Sequence, residues 1–62
     1  MKGKITFWRK DKGYGFVLSG DVSYFLHISN IKNQEVPNPG DEIKFDEADG
    51  ERGVYAKNAV IL

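Results

Sequence analysis

The stretch Lys12-Gly13-Tyr14-Gly15-Phe16-Val17 constrains this chain more than any other. Two glycines interleave with two aromatics directly after a basic turn, Arg9-Lys10-Asp11-Lys12. On a strand, residues two apart share a face. Tyr14 and Phe16 therefore lie on one side and Val17 on the other. The flanking glycines carry no side chain that could cover the Tyr14 ring. Two readings are open from the hexamer alone. Either both rings are ordinary core, or they form a platform on which unpaired bases stack.

The surrounding chain reads as short strands separated by turns. Residues 2–9 alternate Ile5 and Phe7 with Lys4, Thr6 and Trp8. Residues 13–19 form a hairpin partner, and Gly20-Asp21 makes the next turn. Residues 22–28 place Val22, Tyr24, Leu26 and Ile28 on one face and Ser23, Phe25 and His27 on the other. Ser29-Asn30-Ile31 reads as a short helical turn with Ser29 as cap and Ile31 tucked inward. A polar loop over residues 32–40 carries Pro37 and Pro39. Residues 41–47 and 53–61 are the last strands, joined through Asp49-Gly50.

Five short strands at regular spacing predict an all-β barrel or sandwich. A chain of 62 residues buries only about 60% of its unfolded surface, so closure that removes exposed edges is favoured. The expected core of a closed barrel is Ile5, Val17, Val22, Leu26, Ile31, Ile43, Phe45 and Val60. That core is adequate without the other aromatics. Tyr14, Phe16 and Phe25 are then left to face outward, which is costly unless they bind something.

Charge supports that reading. The net charge is zero, but its distribution is lopsided. Residues 1–32 hold six basic and two acidic side chains, a net +4; residues 33–62 hold three basic and seven acidic ones, a net −4. The aromatics lie mostly in the basic half. Local field, not net charge, steers an anionic ligand. The acidic half should limit affinity and make it salt-sensitive.

Gly3-Lys4-Ile5-Thr6-Phe7-Trp8, Lys12-Gly13-Tyr14-Gly15-Phe16-Val17 and Tyr24-Phe25-Leu26-His27-Ile28-Ser29 together resemble a bacterial cold-shock domain. The second and third stretches are similar to that family's two ribonucleoprotein motifs. Pro39-Gly40-Asp41-Glu42-Ile43-Lys44-Phe45 resembles its fourth strand, and Arg52 to Ala59 its closing segment. The resemblance covers nearly the whole chain, as one domain over residues 1–62. It implies a five-stranded antiparallel barrel of the oligonucleotide-binding (OB) fold that binds single-stranded RNA or DNA across strands one to three, with low sequence specificity and a pyrimidine bias. By position, Phe7, Trp8, Tyr14, Phe16, Phe25 and His27 would supply stacking surfaces, Lys12 charge beside phosphate, and Arg52 a further basic contact.

The chain also departs from the family. Members usually have Trp followed by Phe in the first strand; here Phe7 precedes Trp8. Alternation from an inward Ile5 points Trp8 out, whereas matching by position gives Phe7 the family tryptophan's place. Thr6 replaces a common lysine. Ile28 replaces a third exposed aromatic, and the 32–40 loop has none. Fewer stacking sites and weaker binding than in a typical member are expected.

Other chemistries lack their residues. No cysteine is present, and a lone His27 is a poor metal site. No nucleophile–base pair or nucleotide-hydrolysis motif is visible, so neither an enzyme nor a cofactor is expected. Apolar runs such as Ala59-Val60-Ile61-Leu62 are too short to span a membrane, and no signal peptide is visible. A cytoplasmic monomer acting as an RNA chaperone, or in antitermination or translation, is the expectation. The alternative is a protein-interaction module on the same barrel, as the first domain of a longer polypeptide. Its basis is the neutral net charge, the acidic second half and the apolar end.

Overall fold

A computed structural model describes residues 1–62. Five strands form as expected: β1 (Lys2–Arg9), β2 (Tyr14–Ser19), β3 (Val22–His27), β4 (Glu42–Gly50) and β5 (Gly53–Ile61); Asp49 and Gly50, expected as the last turn, are paired within β4, and the turn is Glu51-Arg52. They close into a barrel in the order β1-β2-β3-β5-β4. Consecutive pairs β1–β2, β2–β3 and β4–β5 are antiparallel, and β1 also pairs antiparallel with β4. The seam between β3 and β5 is the exception. It is parallel and consists of one rung, Phe25 opposite Tyr55, supported by an isolated bridge between Ile31 and Ala59.

The β1–β2 turn ends on Gly13, whose N–H donates to the Arg9 carbonyl at 2.8 Å. Gly13 holds φ +71°, a left-handed value that a side chain would strain.

Six of the eight expected core residues are buried: Ile5, Val17, Leu26, Ile31, Ile43 and Phe45. Val22 and Val60 are corrections, at 43% and 38% exposure. Val22 begins β3, right after the turn residue Asp21, where no neighbouring layer covers it. Val60 is turned out by an irregularity in β5. The β4–β5 register steps from Lys44 opposite Val60 to Asp46 opposite Lys57. The extra length sits at Asn58, which has φ +52° and donates a side-chain hydrogen bond to Asp46 at 3.1 Å. Ala56 and Ala59, three apart rather than two, therefore both point inward. Tyr24 completes the core, its ring 5.1 Å from that of Phe45. Burial, and then the nearby Glu47 carboxylate, raise the Tyr24 phenol above its ordinary pKa.

The helical turn after β3 forms one residue earlier than expected. It spans Ile28–Asn30 and is capped by His27 rather than Ser29: the Ser29 N–H donates to His27 Nδ1 at 3.1 Å. Ile31 is buried as expected.

Candidate nucleic-acid interface

The interface begins with a fault in β1. Ile5 lies opposite Val17, but Phe7 lies opposite Phe16 and Trp8 opposite Gly15. One residue, Thr6, has been squeezed out of the ladder as a bulge. Its hydroxyl donates a long 3.5 Å bond to the Phe16 carbonyl. A bulge reverses which side the following residues face. Phe7 is thereby exposed, at 46%, and Trp8 turns inward. Simple alternation from Ile5 had pointed Trp8 outward, and the bulge is why it does not. The half-buried indole packs against the core, and its Nε1–H is buried without an acceptor.

Gly15 makes room for that indole. A Cβ on Gly15 would lie 2.1 Å from the Phe7 carbonyl oxygen and 2.6 Å from Trp8 Cε3. The second glycine of the opening hexamer is thus fixed by what packs against it, and only incidentally leaves Tyr14 uncovered.

Phe7, Tyr14, Phe16 and Phe25 form one continuous ring cluster on the outer face of β1–β3. Tyr14 stacks on Phe25, with 5.5 Å between centroids and 28° between planes. Phe16 meets Phe25 nearly edge-on at 6.0 Å, and Phe7 lies 6.3 Å from Phe16 and 6.4 Å from Tyr14. Such geometries stabilise the rings mutually and hold them in place without burying them. His27 extends the row beside Tyr14, its partner across β2–β3. Because the Ser29 N–H can only donate, His27 Nδ1 bears the lone pair and the ring proton sits on Nε2. The imidazole is oriented by its own turn.

A groove of about 910 Å³ runs beside the cluster. One wall is Lys12 with the outward rings of Tyr14, Phe16 and Phe25. The other is the β4–β5 hairpin, with Arg52, Val54 and Tyr55. The groove therefore gathers five of the eight residues read from sequence; Phe7 and His27 adjoin it through Tyr14, and Trp8 lies apart. Lys12 and Arg52 make no ion pair. The chain's one ion pair joins Arg9 to Asp11, Nε to Oδ1 at 3.0 Å. Asp11, and secondarily the Tyr14 hydroxyl, hold the Arg9 guanidinium above its ordinary pKa.

Sequence reasoning missed Tyr55, Glu51 and Asn30 as lining residues. Tyr55 was visible as an aromatic in β5, but only the β3–β5 seam, which the sequence does not show, brings it beside Phe25. Glu51 and Asn30 carry no pattern that distinguishes them from solvated loop residues.

Residues 1–62 match the 'Cold-shock' DNA-binding domain. The chain is 34% identical to the cold shock-like protein CspB of Bacillus cereus, covering all of both chains. It is 35% identical to the cold shock-like protein CspE of Bacillus anthracis, over all of this chain and 97% of that one. A cold shock-like protein of Aquifex aeolicus is 31% identical, over all of this chain and 94% of its own length. No helix is long and apolar enough to cross a membrane. The closed five-stranded barrel is consistent with the oligonucleotide-binding fold, and the chain belongs to the cold-shock DNA-binding domain family.

Proposed function

We propose that the chain binds single-stranded RNA or DNA by stacking bases on Phe7, Tyr14, Phe16 and Phe25, with His27 at the edge of the row. Lys12 and Arg52 supply charge beside the phosphates. The observation that carries this reading is the four-ring cluster left partly exposed beside a groove that two unpaired cations line. Leaving so much aromatic surface exposed costs free energy that a folded chain recovers only on binding.

Each stacked base is worth about 1–3 kcal/mol, and three or four stacks with a few phosphate contacts give useful affinity. Stacking discriminates bases poorly, because every base has a π-face. A duplex hides those faces, so single strands are preferred and hairpins are opposed by binding energy alone. The cellular role that fits is an RNA chaperone, acting as a monomer in the cytoplasm, with no catalytic step and no cofactor.

The test is a titration of fluorescein-labelled oligothymidine by anisotropy at low and high salt. Binding at low salt that weakens as salt rises is expected. No binding at low salt overturns the proposal.

A further inference from the structure

The hairpin wall of the groove carries a carboxylate that phosphate binding does not explain. Glu51 and Arg52 are the two-residue turn between β4 and β5, closed by the Gly50–Gly53 rung. Glu51 lines the groove together with Lys12, Arg52 and Asn30. It is exposed and pairs with neither cation, since the only ion pair is Arg9–Asp11. A surface that merely followed a phosphate chain would gain from the cations and lose from this charge.

Beside a base, the same carboxylate is useful. Carboxylates accept N–H donors from base edges. Thymine and uracil offer one ring N–H flanked by two carbonyls, which repel a carboxylate. Cytosine and adenine each offer one amino group next to a ring-nitrogen acceptor. Guanine alone offers two adjacent donors, N1–H and N2–H₂, which match the two oxygens of a carboxylate.

Tyr55 supplies a ring in the same wall. It stands opposite Phe25 across the seam and lines the groove. Its ring rests on Gly50, where a Cβ would come within 3.2 Å of Cδ1 and 3.3 Å of Cε1. Any larger residue at position 50 would push the ring away from β4. Its phenol has no hydrogen-bond partner, and the ring stands outside the four-ring cluster. The groove thus has aromatic surface on both walls and a free carboxylate at the hairpin tip.

We infer that this groove selects guanine within a single strand, the base lying between the β2–β3 rings and Tyr55 with Glu51 accepting from N1–H and N2–H₂. The inference rests on the single-strand reading above and adds a base preference to it.

Three labelled heptamers test it by anisotropy at low salt: dT7, dT7 with its central base replaced by guanine, and dT7 with that base replaced by hypoxanthine, which keeps N1–H but lacks the N2 amine. The guanine heptamer is expected to bind roughly 5-fold more tightly than dT7, the lower end of what one bidentate base contact is worth. The hypoxanthine heptamer is expected to fall between them. In Glu51→Ala all three bind more tightly, because a repulsive charge is gone, but the advantage of guanine disappears. Tyr55→Ala reduces that advantage as well. Equal affinity for the guanine heptamer and dT7 in the unmodified chain overturns the inference. So does a guanine advantage that survives Glu51→Ala. If none of the heptamers binds, the single-strand reading itself fails, and this inference with it.

Discussion

Phe7 stands opposite Phe16, one rung away from the Gly15 partner that the start of β1 would give it. The whole outer face follows from that displacement. Without the Thr6 bulge, Phe7 would continue the inward row begun by Ile5, and Trp8 would be the exposed ring. With it, three phenylalanines and Tyr14 meet on one surface, and the larger indole goes to the core side.

Because the rings are partly exposed, removing one should affect binding more than folding. Phe25→Ala and Phe16→Ala should each weaken oligothymidine binding by about 1–3 kcal/mol, roughly 5- to 150-fold. Stability should fall by only about 1 kcal/mol, well below the cost of truncating a fully buried phenylalanine. Titration and urea unfolding of the same variants give the two numbers. Variants that unfold outright would mean that the rings are structural.

Gly15→Ala should be among the most damaging single-methyl changes in the molecule. The new Cβ meets backbone at the Phe7 carbonyl, which cannot swing aside as a side-chain tip could. A loss of about 3 kcal/mol is expected, at the top of the usual overpacking range. Thermal unfolding measures it. Gly20→Ala is the useful contrast: nothing lies within 4 Å of its Cβ, so only the strain of φ +61° is felt.

Trp8 combines packing with an unsatisfied donor. Trp8→Ala should cost about 3 kcal/mol through lost packing against the core. Trp8→Phe should cost less than about 1 kcal/mol, because deleting the unpaired Nε1–H removes a penalty of about 1–3 kcal/mol that offsets the smaller ring. Chemical denaturation of the pair separates the two effects. A Phe variant as unstable as the Ala variant would show that Nε1 has a partner.

Lys12 and Arg52 should be readable from salt dependence. On a single strand, each phosphate neutralised contributes about −0.7 to the slope of log affinity against log salt. Lys12→Ala and Arg52→Ala should each make the slope shallower by about that amount, with little change in base preference. Affinities measured at four salt concentrations give the slope directly.

Tyr24 sets an alkaline limit. Its folded-state pKa lies above the ordinary value of about 10 because the phenol is buried and faces Glu47. A raised folded-state pKa means that the stabilisation is fully present below about pH 10 and is lost as pH rises through the folded value. Stability should therefore decline above pH 10, and Tyr24→Phe should flatten that decline. Unfolding curves taken between pH 8 and 11.5 check the sign.

Much of the barrel was legible because alternation is a strong signal where strands are regular. β2 and β3 follow their period without interruption, so Val17, Leu26, Tyr14, Phe16 and Phe25 were assigned to their faces correctly. Apart from Val22 at the exposed start of β3 and the cap of the helical turn, the errors cluster at two irregularities. The Thr6 bulge decided the facing of Phe7 and Trp8 against simple alternation, and the Asn58 irregularity inverted the reading of Val60 and hid Ala59. Neither residue announces its role, since threonine is at home in a regular strand and asparagine at φ +52° looks like any polar surface residue. The groove was illegible for a different reason. Its second wall comes from a hairpin half the chain away, and closure of the barrel brings it there.

That closure rests on very little. β3 and β5 share one rung, with the Ile31–Ala59 bridge beyond it, whereas the other strand pairs are laddered over several residues. Both seam contacts join residues remote in sequence, so they gain nothing until the β1–β3 meander and the β4–β5 hairpin have already formed. The β1–β3 meander and the β4–β5 hairpin are joined by the β1–β4 ladder on one side and by this seam on the other, and the Phe25–Tyr55 rung of the seam lines the groove. A strand of nucleic acid lying across the groove would touch both parts at once and reinforce the fastening on that side.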